Sequence, residues 1–354
     1  MLKDIVNRQH NEPDLPADLS TRPTLKTISR LSGFAVPTVS RALKGAPDIS
    51  QKTKETVRRI ADEIGYVPNR AGVRLSTGKT NVVSLVISTE HDVMNHTARL
   101  ISGVASELRD TRYHLNVTPW FSGNDAMHSV RYIVESGSAD AIILNATTPR
   151  DPRVAYLMEK RFPFATHGRT DWSDSHAWFD FDNTAFGRIG ISQLAARGRS
   201  NIFAILPPAD QFYSRCMADG ARQAALETGV TLTICDKINS DRPALEIRNR
   251  FAEVLAEDPT IDGIFADSPV ASLTALDAVK SAPSRSGRKI EIFGKELMPF
   301  VSLFHEEFLS MPEDVRRAGR FLARAVLQAI EEPERPPMQE LEVPADRWNS
   351  QTTA

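Results

Sequence analysis

The stretch TLKTISRLSGFAVPTVSRALKG, residues 24–45, decides the reading of this chain. Leu25, Ile28 and Leu31 recur at three-residue steps, Thr24 can cap the helix they define, and Gly33 stops it. A second helix is predicted from Val36 to Lys44, with Pro37 in its first turn, where a missing N–H costs nothing. Only Gly33, Phe34 and Ala35 separate the two helices. Small Ser29 stands where the helices must approach and Val39 points back at the first, so the pair has the elements of a helix-turn-helix. Ser50 can cap a third helix, Gln51 to Ile64, in which Thr53, Val57, Ile60, Ala61 and Ile64 form one stripe that Gly65 ends. Upstream, residues 1–22 have no sustained period and contain Pro13 and Pro16, which reads as a flexible arm.

The charge is divided along the chain. From Arg22 to Lys79 there are twelve basic residues against four acids, a balance of +8, whereas the 354 residues together carry −2. Everything outside that window therefore sums to −10. A basic head on an acidic body is the asymmetry expected when one domain meets a polyanion.

With ISQKTKETVRRIADEIGYVPNRAGVRLSTGKT (49–80) following the first stretch, the sequence resembles the DNA-binding head and hinge of the LacI family of bacterial repressors. The shared order is Thr-Val-Ser-Arg (38–41), a third helix, Gly-Tyr-Val-Pro-Asn-Arg (65–70), and Leu75 before Thr-Gly-Lys. The resemblance implies that the second helix enters the major groove and that a hinge helix, about Asn69 to Leu75, folds on DNA in paired copies and opens the minor groove. It places Thr38, Ser40 and Arg41 on DNA, Val36 and Pro37 at operator-discriminating positions, and Leu75 as an apolar wedge. Thr24, Leu25, Ser50, Lys52, Thr53, Asn69 and Arg70 complete the expected contacts. Val36 and Pro37 have no side-chain donor, so they should read bases by apolar contact and shape, with Arg41 supplying polar readout.

Beyond Asn81, β-branched runs (82–88, 113–118, 140–145, 162–167, 177–181, 201–206, 231–235, 262–267 and 289–293) alternate with helical stripes. The stripes include Ala98/Ile101/Ala105/Leu108, Phe186/Ile189/Gly190/Leu194, Leu245/Arg248/Phe251/Leu255 and Val315/Ala318/Leu322/Val326. Such alternation predicts an α/β body with parallel sheets, and its length allows two lobes. The resemblance implies the same: a small all-α helix-turn-helix head (23–67), a hinge (68–80) and a two-lobed periplasmic-binding-protein-like body (81–350). Three lobe crossings, near Asp180, Pro312 and Pro337, give an N-lobe of 81–180 and 313–337 and a C-lobe of 181–312 and 338–350.

Open α/β sheets bind ligands beyond the C-terminal ends of their strands. That rule selects Asp92, Trp120, Asn145, Arg169, Tyr213, Asp267 and Glu296 as effector-binding candidates. Arg188 joins them because FDNTAFGR (181–188) resembles the family segment ending in a sugar-binding arginine. Where relatives commonly have Ala-Asn-Asp this chain has Ala266-Asp267-Ser268, and Gly294-Lys295-Glu296 replaces Gly-Tyr/Phe-Asp. Carboxylates opposite an arginine suit a polyhydroxyl ligand, and a neutral sugar is expected, with a glucoside as the narrower reading. Lys295 could instead neutralise Glu296 or meet a phosphorylated metabolite.

Enzymatic readings find little. Ser286-Gly-Arg-Lys289 has S-x-x-K spacing but no S-D-N or K-T-G partner, and neither a G-x-G-x-x-G after a strand nor a P-loop is present. His91 and His96 lack metal-ligand spacing on one helix face. Cys216 and Cys235 are too few for a disulfide framework or a zinc cluster. The expectation is a non-enzymatic, cofactor-free and metal-free regulator. It should bind a double-stranded operator as a homodimer, with a higher oligomer left open, and repress carbohydrate-utilisation genes until an effector releases it. With no run long enough for a membrane helix, and acids and prolines where a leader would be apolar, the expected location is the cytoplasm. The competing reading is a sugar-binding receptor or sensor with no DNA role.

Overall fold

Thr24 opens the first helix as its chemistry requires. Its hydroxyl accepts the Thr27 N–H at 3.3 Å while the Thr27 hydroxyl accepts the Thr24 N–H at 3.1 Å, a reciprocal cap. The computed structural model describes residues 22–68, 74, 78–88, 96–120, 125–281, 289–297, 305 and 308–344. They divide into two units, one up to Lys79 and one from Thr80.

The head holds α1 (Leu25–Ser32), α2 (Val36–Leu43) and α3 (Gln51–Glu63). Gly33 ends α1 at φ +74°, a conformation that L side chains rarely adopt. Ser29 does more than stay small: its hydroxyl donates to the Phe34 carbonyl at 2.6 Å and fixes the turn between α1 and α2. Ile28, Val39, Ala42, Val57, Ile60 and Ala61 form the core. Each of the larger side chains contributes roughly 1.5–3 kcal/mol by leaving water. The expected hinge helix, with Asn69, Arg70 and Leu75, lies outside the described residues, as do the N-terminal arm, Asp92 and most of the Ser286–Lys289 segment.

In the body, the first lobe begins with β1 (Val82–Ser88), α4 (His96–Leu108), β2 (His114–Trp120), α5 (Ala126–Ser136) and β3 (Ala141–Leu144). It continues with α6 (Pro152–Glu159), β4 (Phe164–His167) and β5 (Ala177–Phe181). The second lobe runs through α7 (Asn183–Ala196), β6 (Asn201–Ile205), α8 (Phe212–Thr228), β7 (Thr231–Ile234) and α9 (Ala244–Glu257). Its remaining elements are β8 (Gly263–Ala266), α10 (Pro269–Ser281), β9 (Glu291–Glu296) and β10 (Phe308–Pro312). The chain then returns as α11 (Val315–Glu331) and β11 (Gln339–Glu342). The sheet orders are β11-β5-β4-β3-β1-β2 and β10-β9-β8-β6-β7, with every pairing parallel.

The chain passes from the first sheet to the second at Asp182, after β5, and back at Glu313, after β10. Among the described residues the chain makes no third crossing near Pro337. Strand β11 stays in the first lobe, pairing Gln339 with Trp178 and Glu342 with Phe181, so residues 339–342 belong to that lobe and not to the second. β11 covers what would otherwise be the open edge of β5, and Arg317 of α11 holds Glu340 at 2.5 Å and Glu342 at 3.1 Å.

Two helix faces also differ from expectation. Helix α4 buries Leu100, Gly103, Val104 and Leu108 and leaves Ala98 and Ala105 exposed, because α11 crosses it at Gly103. A Cβ at Gly103 would stand 2.4 Å from the Arg316 carbonyl oxygen, and one at Gly319 would stand 2.5 Å from that of Leu100. Backbones so close select glycine, which a count of apolar side chains overlooks. Helix α9 buries Ile247, Phe251, Val254 and Leu255, and Leu245 faces solvent.

Candidate functional site

In the head, α2 exposes Pro37 and Arg41, with Val36, Thr38 and Ser40 half-buried beside the buried Val39 and Ala42. Thr24 and Leu25 stand at the start of α1, and Ser50, Lys52 and Thr53 at the start of α3. Ser50 accepts the Thr53 N–H at 3.2 Å, which leaves exposed Lys52 in the first turn. Arg41 forms an ion pair with Asp48 in which both side chains remain about half exposed.

In the body, the C-terminal ends of the central strands of both sheets converge on one cavity of about 230 Å³. Asn145 follows β3, His167 ends β4 and Asp180 lies in β5, all from the first lobe. Asn183 at the start of α7, Tyr213 in the first turn of α8, Asp267 after β8 and Lys295 in β9 face them from the second. Glu313 comes from the second crossing.

The cavity wall is rich in carboxylates. Asp267 is buried, and Ser240 donates to its Oδ2 at 2.7 Å while Oδ1 has no partner among the described residues. Burial pushes Asp267 up to about 7, against the Ser240 hydrogen bond and with help from Asp241. Burial likewise raises Asp180, to about 6, even though Arg169 Nε donates to its Oδ2 at 2.8 Å. Glu313 goes the other way: burial would raise it, but the Lys295 ammonium 3.0 Å from Oε2 overrides that and holds it at about 2. Burial brings His167 down to about 4, so its imidazole is neutral at ordinary pH. Enclosure beside Asp241 and Asp267 holds the Tyr213 phenol well above its usual value.

The fold brings Asn145, Tyr213 and Asp267 to the cavity, as expected from strand ends. Other candidates sit elsewhere. Arg188 is exposed on α7 beside Ile189, Ser192, Gln193 and Ala196, outside the cavity. Asn183 of the same helix lines it, and five residues at 100° each turn Arg188 about 140° away from that face. Glu296 is buried outside the cavity wall because successive strand residues point to opposite faces and Lys295 takes the inward one. Lys295 pairs with Glu313, not Glu296, and also donates to Asn183 Oδ1 at 3.2 Å. Arg169 stands beside the cavity, engaged with Asp180 and lying over the rings of Trp178 and Phe212. Trp120 packs into the cluster around Val130, Ile142 and Leu144, under the Arg153 guanidinium, and does not line the cavity. His96, His167, Asp180, Asn183 and Glu313 escaped selection from sequence, although the strand-end rule reaches His167.

Among the described residues no helix is long and apolar enough to cross a membrane. Residues 24–69 match the model for bacterial regulatory proteins of the lacI family, and residues 82–348 match that for periplasmic binding proteins and the sugar-binding domain of the LacI family. The chain is 27% identical over 318 residues to the HTH-type transcriptional regulator CelR of Thermobifida fusca, covering 87% of this chain and 92% of that protein. It resembles the solved CelR–cellobiose complex (TM-score 0.64, 23% identity, 92% and 98% covered). It also resembles the lac repressor dimer bound to operator and an anti-inducer (TM-score 0.78, 17% identity, 92% and 97% covered). With a helix-turn-helix head and a two-sheet cleft both matched, and with relatives that are regulators and not enzymes, the chain belongs to the LacI family as a DNA-binding transcriptional regulator.

Proposed function

We propose that this regulator is a repressor of carbohydrate-utilisation genes, released from a pseudo-palindromic operator when a neutral sugar enters the body's cavity. The unpartnered Oδ1 of buried Asp267 carries the sugar reading. A buried acceptor without a donor costs free energy, and a ligand hydroxyl removes that cost. Asp180 and Asp241 add acceptors, and Asn145, Asn183 and Tyr213 add amide and phenol groups that suit neighbouring hydroxyls. The cavity's lysine is already neutralised by Glu313, which speaks against an anionic, phosphorylated effector. The likeness to a cellobiose complex favours a glucoside of disaccharide size.

On DNA, the exposed Pro37 and Arg41 of α2 fit the base-reading face, and Thr24, Ser50, Lys52 and Thr53 fit phosphate contacts at helix starts; the sequence resemblance assigns the minor-groove wedge to Leu75. One head makes few phosphate contacts, so two chains are expected to act together on paired half-sites. A gel shift on the chain's own upstream region, with and without a sugar panel, tests both halves. A salt-sensitive shift that outcompetes random duplex and is reversed by one sugar supports the proposal, whereas equal affinity for random duplex, or release by a sugar phosphate alone, sinks it.

A further inference from the structure

Three side chains far apart in sequence meet at one edge of the cavity: His96 from the first turn of α4, His167 from the end of β4 and Glu313 from the crossing between β10 and α11. One ring nitrogen of each histidine and one carboxylate oxygen of Glu313 lie within 4.8 Å of one another. The rings are 5.4 Å apart between centroids and tilted by 37°. His167 also stacks against Phe179 at 6.3 Å, and the buried Glu313 is anchored by its backbone N–H, which donates to the Glu296 carbonyl at 3.1 Å. Glu313 and His167 are thus held by the wall, and His96, in the first turn of α4, can adjust to meet them.

We propose that His96, His167 and Glu313 form a binding site for a divalent transition-metal ion of the zinc class. Two imidazoles and one carboxylate are a recurrent zinc donor set, with ligand atoms about 2.0–2.2 Å from the metal and hence about 3.3 Å from one another. Modest side-chain rotation closes the present separation to that value. Three protein ligands leave a coordination position open towards the cavity, where water or a ligand hydroxyl can enter. The proposal does not depend on the effector being a sugar.

Lys295 sets the affinity. Its ammonium now occupies the place of the cation beside Glu313, and it has other partners to fall back on: Asn183 Oδ1 at 3.2 Å and the rings of Phe181 and Phe186 at 4.5 and 5.0 Å. An incoming ion must displace or share that contact and tolerate a like charge nearby, so it binds more weakly than in a closed structural zinc site. The consequence reaches the lobes. Lys295 ties the crossing at Glu313 to β9 of the second lobe, whereas an ion ties it to His96 and His167 of the first.

The test is calorimetric titration of ZnCl2 into the full-length, tag-free, chelator-treated protein, with CoCl2 absorption spectra reporting coordination. One ion per chain and a four-coordinate cobalt spectrum are expected. His96→Ala or His167→Ala should weaken binding at least tenfold, and Lys295→Gln should tighten it because the competing cation is gone. Circular dichroism and operator gel shifts check that each variant is folded. No saturable zinc binding, binding unchanged in both histidine variants, or weaker binding in Lys295→Gln would overturn the site. Sugar titration of the metal-free parent is a separate measurement, so these outcomes leave the effector reading standing or falling by itself.

Discussion

Lys295 Nζ lies 3.0 Å from Glu313 Oε2, joining strand β9 of the second lobe's cavity wall to the segment by which the chain returns to the first. Both side chains are almost wholly buried, so neither charge can be abandoned cheaply. Lys295→Met should therefore cost roughly 3–5 kcal/mol at neutral pH, because it strands a buried carboxylate. Glu313 is depressed to about 2, so its contribution to stability is present above its unfolded value of about 4.3 and is lost as pH falls towards 2. Urea unfolding of parent and variant checks this. The gap between them should be wide at pH 7 and close on acidification, and a gap independent of pH would mean that Lys295 acts through packing.

Asp267 has the opposite sign. Its folded value of about 7 lies above the unfolded 3.9, so the stability tied to its proton is full below about pH 4 and lost as pH rises through 7. Asp267→Asn removes the buried charge and should stabilise the body at pH 8, on the order of 3 kcal/mol, with little change at pH 4. The same variant should lose sugar affinity at least tenfold, since an amide accepts a hydroxyl less strongly than a carboxylate. Melting curves at two pH values and calorimetry with a sugar panel decide it; a variant that is stabilised yet binds the parent's sugar normally would leave Asp267 outside the effector contacts.

What could be read from sequence was what repeats locally. Thr24, Gly33 and Ser50 announce helix ends through capping chemistry, and the Val82–Ser88 and Ala177–Phe181 strands announce themselves through runs rich in β-branched or aromatic residues. β11 was hidden because Gln-Glu-Leu-Glu has one apolar residue, as suits a half-exposed edge paired with Arg317. The cavity's cluster of His96, His167 and Glu313 was hidden for a different reason: spacing rules see ligands on one helix, and these come from a helix, a strand and a crossing. Strand alternation, applied to Lys295 and Glu296, would have chosen the inward residue once the face of β9 was known, which only the sheet supplies.

Arg188 illustrates how a motif can select the right helix and the wrong face. Arg188→Ala should leave sugar affinity within about twofold of the parent, because a charge-assisted hydrogen bond worth roughly 1.5–3 kcal/mol is not there to lose. A loss of tenfold or more in calorimetry would return Arg188 to the ligand.

Gly103 and Gly319 let α4 and α11 cross with backbone against backbone. Gly103→Ala puts a methyl 2.4 Å from a carbonyl oxygen that cannot rotate away, so the helices must separate. A loss of roughly 1–3 kcal/mol or more is expected in denaturant unfolding of the body. Unchanged stability would show that the crossing can relax at little cost.

Arg41 and Asp48 make the sharpest test of the head, because the two halves of one ion pair should respond in opposite directions. Both side chains are about half exposed, so the pair itself is worth at most about 1 kcal/mol and either substitution leaves the head folded. On DNA, Arg41 must leave Asp48 to reach a base edge, and Arg41→Ala forfeits a contact worth about 1–3 kcal/mol of discrimination, roughly a five- to hundredfold loss of operator affinity. Asp48→Ala frees the guanidinium beforehand and removes a negative charge from a basic surface, so operator affinity should rise modestly, most clearly at low salt. Operator titrations of both variants at two salt concentrations read the signs. If both substitutions weaken the complex equally, the pair is holding α2 in place, and base readout must be sought at Val36, Pro37, Thr38 and Ser40 instead.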